Sequence, residues 1–199
     1  RRLAKGTGSG DQSFVPTDIR CADSWRGIMD HVVRLKPDLV LVSDRQLRGP
    51  SLSRDGVRLE RGSEAHVAAV AAAQRSAANE LTAVGATVVL VDPLPRLPDV
   101  DCLAQHSAQP GRCDKPADLS EFRPYLRGWD LLAAASGGEV RRLSLLREVC
   151  PDGSTCPAVL DAIVASYDGT HLTRSMSQRL SSAFDRLLRQ QGVDLAALG

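Results

Sequence analysis

Aromatic side chains are scarce in this chain: three Phe, two Trp and two Tyr make up 4% of 199 residues. That scarcity argues against a surface that reads nucleic acid by stacking on bases. Net charge is scarce as well. With 25 Lys and Arg against 24 Asp and Glu, the balance of +1 gives no long-range field to attract nucleic acid or an anionic membrane, so no nucleic-acid partner is expected. No run of about 18 apolar residues occurs, so this stretch does not span a membrane by itself. Arg1-Arg2-Leu3-Ala4-Lys5 has no apolar segment behind it and is no signal peptide; any export signal or anchor is expected outside this sequence. No G-x-G-x-x-G or Walker loop follows an apolar run, and Gly6-Thr7-Gly8-Ser9-Gly10 has no strand before it, which disfavours a nucleotide-binding domain. Close C-x₂₋₄-C pairs are absent too. Neither a metal nor a cofactor is expected.

What is present is ordinary for a folded domain. Hydrophobic residues at 43% and charged residues at 25% fit a soluble globular chain, and the length favours one domain with a substantial core. Of the five cysteines, Cys102…Cys113 and Cys150…Cys156 enclose turn-rich segments, Gln109-Pro110-Gly111 and Pro151-Asp152-Gly153. Such loops suit disulfide staples, each stabilising by roughly 2–3 kcal/mol. Five reduced, buried thiols in a cytosolic protein is the alternative. Two bridges with Cys21 left over point to an oxidising compartment, Cys21 being free or lacking its partner.

Residues 1–20 read as loop. Asp23 or Ser24 is placed to cap a first helix with Trp25, Ile28, Met29, Val32 and Leu35 on one face, ended by Lys36-Pro37. The apolar run Asp38–Ser43 predicts a strand covered on both faces. Arg54-Asp55-Gly56-Val57 suits a small hairpin turn. Ser63 predicts a helix cap, with Val67, Val70, Ala77, Leu81 and Val84 buried and Gly85 at C′. Ala86–Val91 is the next buried strand, ended by Asp92-Pro93. A Pro-rich excursion, Leu94–Pro116, precedes a helix within Asp118–Ser136 that has Pro124 near its first turn and is stopped by Gly137-Gly138. Val140–Leu146 reads as a third strand and Val159–Val164 as a short fourth strand or extended segment. The last helix carries Leu172, Met176, Leu180, Phe184 and Leu188, with Ser175 and Gln178 as a capping box. Strands alternating with helices imply an α/β fold with a largely parallel sheet and helices on both sides. Functional residues then belong at the carboxyl ends of strands, where Ser43-Asp44-Arg45, Asp92, and Asp168 with His171 could converge.

The stretch Tyr167-Asp168-Gly169-Thr170-His171-Leu172-Thr173 carries the chemistry. An acid three residues ahead of a histidine on a turn can fold back onto the ring, fix its tautomer and stabilise the imidazolium, which suits the histidine to act as general base. An Asp capping a turn beside a solvated His is the plainer reading of D-x-x-H alone. His31, His66 and His106 are expected at surface positions.

A D-x-x-H-[LF]-[ST] segment opening the last helix of such a domain resembles the terminal block of the SGNH (GDSL-like) hydrolase superfamily. More closely, Cys150-Pro151-Asp152-Gly153-Ser154-Thr155-Cys156-Pro157 followed by Tyr167–Thr173 resembles the C-terminal extracytoplasmic SGNH domain of bacterial type-three membrane acyltransferases. Cys21-Ala22-Asp23-Ser24-Trp25, Lys36–Ser43, Cys102-Leu103 and Cys113 fit the same pattern, so the resemblance runs from about Lys5 to Leu188. It implies a three-layer α/β/α sandwich with a mostly parallel, flavodoxin-like sheet. It implies acyl transfer, often of acetyl, or ester hydrolysis on cell-envelope glycans by a Ser-His-Asp mechanism, with His171 as base and Asp168 as its orienting acid. The implied partners are an acyl donor, a carbohydrate acceptor and a covalently linked membrane acyltransferase domain upstream. The implied location is extracytoplasmic, membrane-anchored in the full-length protein. This chain departs from the family in two blocks. No G-D-S follows an apolar strand; Gly10-Asp11-Gln12-Ser13 has an inserted residue and no strand before it, which makes Ser13 a poor nucleophile. Ser43-Asp44-Arg45 stands where the family has Gly-x-Asn. Residues 1–199 are therefore expected to form a single SGNH-like domain lacking its first strand and helix. The competing reading is a catalytically degenerate domain that binds a glycan or a protein partner.

Overall fold

A computed structural model describes residues 26–43, 53–54, 57–60 and 62–197. The chain divides into two units, Arg1–Lys36 and Pro37–Gly199. The expectations for residues 1–20, the cap at Asp23 or Ser24, Cys21, Asp44 and Arg45 lie outside the described residues. In the first unit, helix α1 covers residues 26–35. Met29 is buried, whereas Ile28 and Leu35 of the expected apolar face are exposed. The left-handed Lys36 (φ 48°) ahead of Pro37 ends the helix.

The second unit begins with β1 (Leu39–Ser43), then the short pair β2 (Ser53–Arg54) and β3 (Val57–Arg58), α2 (Glu64–Thr82) and β4 (Thr87–Val91). The excursion carries α3 (Val100–Gln105) and β5 (Lys115–Pro116), followed by α4 (Arg123–Ala135), β6 (Val140–Leu143) and α5 (Leu146–Val149). Then come β7 (Thr155–Cys156), β8 (Val159–Leu160), β9 (Ile163–Val164) and α6 (Arg174–Gln190). Strands β1, β4 and β6 form one parallel sheet in that order, with Leu39 opposite Thr87 and Val88 opposite Val140.

Side-chain alternation gives the sheet two buried faces. Val89 packs with Leu143, Leu188 and Val193, joined by Phe184 and Leu187 of α6. The alternate residues Val88 and Leu90 are also buried, and α2 and α4 pack on each other and on β4 and β6. The result is the expected helix–sheet–helix sandwich. Coverage of β1 is weaker than expected. Among the described residues it ends the strand order, the flanking helices pack over β4 and β6, and Leu41 is 47% exposed.

Local signals map closely onto the element ends. Ser63 Oγ accepts from the His66 N–H at 3.2 Å. Gly85 takes φ 90°, and the Ala86 N–H returns to the Leu81 carbonyl at 3.3 Å, the six-to-one bond of a glycine-terminated helix. Arg54 pairs with Val57 in the expected hairpin. Several non-local expectations are corrected. His66 is buried, not at the surface: its Nδ1 accepts from the Gly62 N–H, and its ring meets Tyr125 edge-on at 6.4 Å. Residues 159–164 add no strand to the sheet; Asp161 and Ala162 both have positive φ, so β8 and β9 fold back on each other. The third strand stops at Leu143, where the chain turns into α5. Leu172 precedes the last helix rather than lying in it, and the cap is Thr173, whose Oγ1 accepts from Met176 N–H at 3.1 Å. Ser175 and Gln178 therefore lie inside the helix and do not cap it.

Both cysteine pairs are disulfides, Cys102–Cys113 and Cys150–Cys156. The second is fully buried with Leu97, Val149, Ala165, Met176 and Leu180. Ala165 and Met176 flank Tyr167–Thr173 in the chain, and Leu97 is hydrogen-bonded to Gly169 within it. Replacing Cys150 and Cys156 together with serine is expected to lower stability by about 2–4 kcal/mol, because the unfolded chain gains freedom and buried hydroxyls replace sulfur. Denaturant unfolding of the oxidised wild type and the double variant measures the loss.

Candidate active site

The segment 164–173 is a tight loop fixed at both ends. Thr173 Oγ1 donates to the Val164 carbonyl at 2.6 Å while capping α6, and the Thr173 N–H reaches Ala165 O. Ser166 and Leu172 pair across the loop, and buried Ser166 Oγ accepts from the Gly169 N–H at 2.8 Å. Gly169 takes φ 84°, and a Cβ there would stand 2.8 Å from the Leu97 carbonyl. Only glycine fits both demands. The excursion clamps the other side: Leu97 N–H donates to Gly169 O, and Val100 N–H to Tyr167 O. Lys115 Nζ in turn holds the Leu97 carbonyl (3.2 Å) and Asp99 Oδ2 (3.1 Å).

Within this frame Asp168 and His171 meet. Asp168 Oδ1 accepts from the Thr170 N–H (2.9 Å), the Thr170 hydroxyl (2.8 Å) and the His171 N–H (2.8 Å). Its Oδ2 lies 2.7 Å from His171 Nδ1. An ionised carboxylate only accepts, so the proton sits on Nδ1. The bond to the imidazole, then the amide and hydroxyl donors, hold the Asp168 carboxyl well below the usual carboxylate range. It is therefore ionised at neutral pH. His171 Nε2 has no hydrogen-bond partner among the described residues, and the side chain is 68% exposed. An imidazole so held can take a proton at Nε2 and return it, which is what a general base in acyl chemistry does.

Of the other strand-end candidates, Asp92 and Ser43 are engaged elsewhere. Asp92 is buried and takes a bidentate bond from Arg142 at 2.6 and 2.9 Å; Arg142 also reaches Asp130. That ion pair ties the end of β4 to β6. Ser43 pairs with Val91 in the sheet. Sequence reasoning missed Ser166, Leu97, Asp99 and Lys115 as supports of the loop. Ser166 had a signal, a serine three residues before a glycine at a turn; the contacts from the excursion had none.

A parallel α/β/α sandwich with an acid–histidine turn opening its last helix is the layout of an SGNH-type hydrolase-like domain. Residues 5–186 match the family described as SGNH domain (fused to AT3 domains), and the chain belongs to that family. Among solved structures it is similar to the periplasmic domain of a lipopolysaccharide acetyltransferase from Salmonella ser. Paratyphi A. The identity is 14% and the TM-score 0.49, over 83% of this chain and 60% of that one. The chain thus spans about three-fifths of the length of that solved domain. No curated protein sequence matches it.

Proposed function

We propose that this chain is an extracytoplasmic domain that transfers an acyl group, acetyl in the first instance, on cell-envelope glycans or hydrolyses such esters. The observation that carries the reading is the 2.7 Å contact between Asp168 and His171 Nδ1 in a chain of this family. His171 Nε2 takes the proton from an attacking hydroxyl as its oxygen bonds to the acyl carbon, then delivers that proton to the departing oxygen. Asp168 keeps the imidazole in the required tautomer and balances its transient positive charge. A serine supplies the attacking hydroxyl in the Ser-His-Asp scheme. Two disulfides suit an oxidising compartment. The linked partner is a membrane acyltransferase domain upstream, which would anchor the protein and deliver the acyl donor to a carbohydrate acceptor.

Ser43-Asp44-Arg45 in place of Gly-x-Asn, and the lack of G-D-S after a strand, favour a second reading: a domain that binds a glycan or protein partner without catalysis. A serine-directed fluorophosphonate applied to the full-length protein separates the two. Labelling of one serine, lost on prior heat denaturation and mapped by peptide mass, is the expected result. A folded wild type that takes no label and leaves p-nitrophenyl acetate intact belongs to the second reading.

A further inference from the structure

We propose that Val100 and Tyr167 form a platform for the sugar ring of the substrate beside His171, an inference that rests on the acyl-chemistry reading above. The placement follows from strand register. Ser166 and Leu172 are antiparallel partners, so the next pair outward is Tyr167 and His171, joined by the Tyr167 N–H to His171 O bond at 2.9 Å. Ser166 is fully buried and Leu172 packs on the core around Met176 and Leu180, whereas the Tyr167 and His171 side chains are exposed. The second bridge, Asp99 with Asp168, sets Val100 opposite Tyr167, and the Val100 N–H donates to Tyr167 O at 3.0 Å. Val100, Tyr167 and His171 are therefore neighbours through their backbones, and all three side chains are exposed.

The exposure of these three is selective. Phe122, Tyr125 and Trp129 are buried and Phe184 is half-buried, whereas Tyr167 is 54% exposed and Val100 38%. Tyr167 is the one fully described aromatic that this chain leaves open, and it sits on the loop that carries the base. Its backbone is bonded on both sides, to His171 and to Val100, so its position is fixed before any ligand arrives. A pyranose has an apolar face of ring C–H groups and a rim of hydroxyls. A phenol flanked by an aliphatic side chain offers the matching apolar surface, with an O–H at the edge for the rim. A hexopyranoside lying there has its exocyclic oxygens, acylated or free, beside His171 Nε2.

Two measurements on the full-length protein test this with wild type, Tyr167→Phe and Tyr167→Ala. The first is saturation-transfer NMR with the methyl glycosides of glucose, galactose, mannose and rhamnose, which needs no catalysis. Strong saturation of ring C–H protons of at least one glycoside is expected, kept in the Phe variant and lost in the Ala variant. The second is the ratio of kcat/KM for the 6-O-acetyl methyl hexosides to that for vinyl acetate, which carries no ring. That ratio is expected to fall about tenfold in Tyr167→Ala, mostly through KM, and to be retained in Tyr167→Phe. No saturation by any glycoside, or saturation equal in wild type and Tyr167→Ala, overturns the platform even if acetyl esters are cleaved. Equal losses on both esters also overturn it, because they assign Tyr167 to holding the loop. A wild type that binds glycosides through Tyr167 but cleaves neither ester retains the platform and sinks the acyl chemistry instead.

Discussion

In the full-length protein, His171→Ala is expected to cut hydrolysis of p-nitrophenyl acetate by about a thousandfold or more while leaving the protein folded. The size follows from the role proposed for the imidazole. General base catalysis contributes about 10²–10⁴ in rate, and a base that also delivers its proton to the departing oxygen acts in both halves of the reaction. The fold is expected to survive because the side chain is 68% exposed, and a surface truncation of this kind changes stability by about 0.5 kcal/mol or less. Asp168 would keep its bonds from the Thr170 and His171 backbone N–H groups, so the turn itself stays formed. Added imidazole is expected to restore part of the activity, since the vacated position opens to solvent. Rates measured beside unfolding curves for the two proteins decide the matter. An unchanged rate in a folded variant would remove His171 from the chemistry and shift the chain towards the binding-only reading.

The parts of this molecule that were legible in the sequence are those whose physics is local. Ser63 declares a helix start because its hydroxyl satisfies an N–H three residues on, and Gly85 declares an end because few other residues accept φ 90°. Asp168 and His171 belong with them: three residues on one turn suffice to bring carboxylate and imidazole together, so D-x-x-H could be read as a pair before any fold was known. What could not be read depends on partners distant in sequence. His66 looked like a surface histidine because nothing near it in the chain shows Tyr125 arriving from α4. The clamp on the loop comes from Leu97 and Val100, about 70 residues upstream, through backbone bonds that carry no side-chain signature. The pattern at 159–164 predicts a short strand or extended segment because Val, Leu and Ile favour strands; the reversal at Asp161-Ala162 lacks the glycine that marks such turns. The D-x-x-H pair is thus written locally, but its orientation is set by residues that pattern reading does not connect to it.

Asp168→Asn is the sharper test of the pair, because it keeps the shape and removes the charge. The amide oxygen can still accept from the Thr170 and His171 N–H groups. The amide nitrogen would then face Nδ1, and since it donates, the imidazole must present a lone pair there. The proton moves to Nε2, where the base must be free. In this wrong tautomer kcat is expected to drop by about 10³–10⁴ with KM nearly unchanged, because the loss appears only as imidazolium forms in the transition state. A loss in KM alone would assign Asp168 to substrate binding. The pH dependence has a definite sign. The native carboxyl is held below its unfolded value of about 3.9, so its contribution to stability is fully present above that value and disappears as pH falls through the lower native one. The stability gap between wild type and Asp168→Asn is therefore expected to close as pH drops below the ordinary carboxylate range, while the kcat gap persists at neutral pH. A gap that instead widened in acid would mean that the carboxylate is destabilised by its surroundings, which the three donors on Oδ1 and the imidazole on Oδ2 argue against.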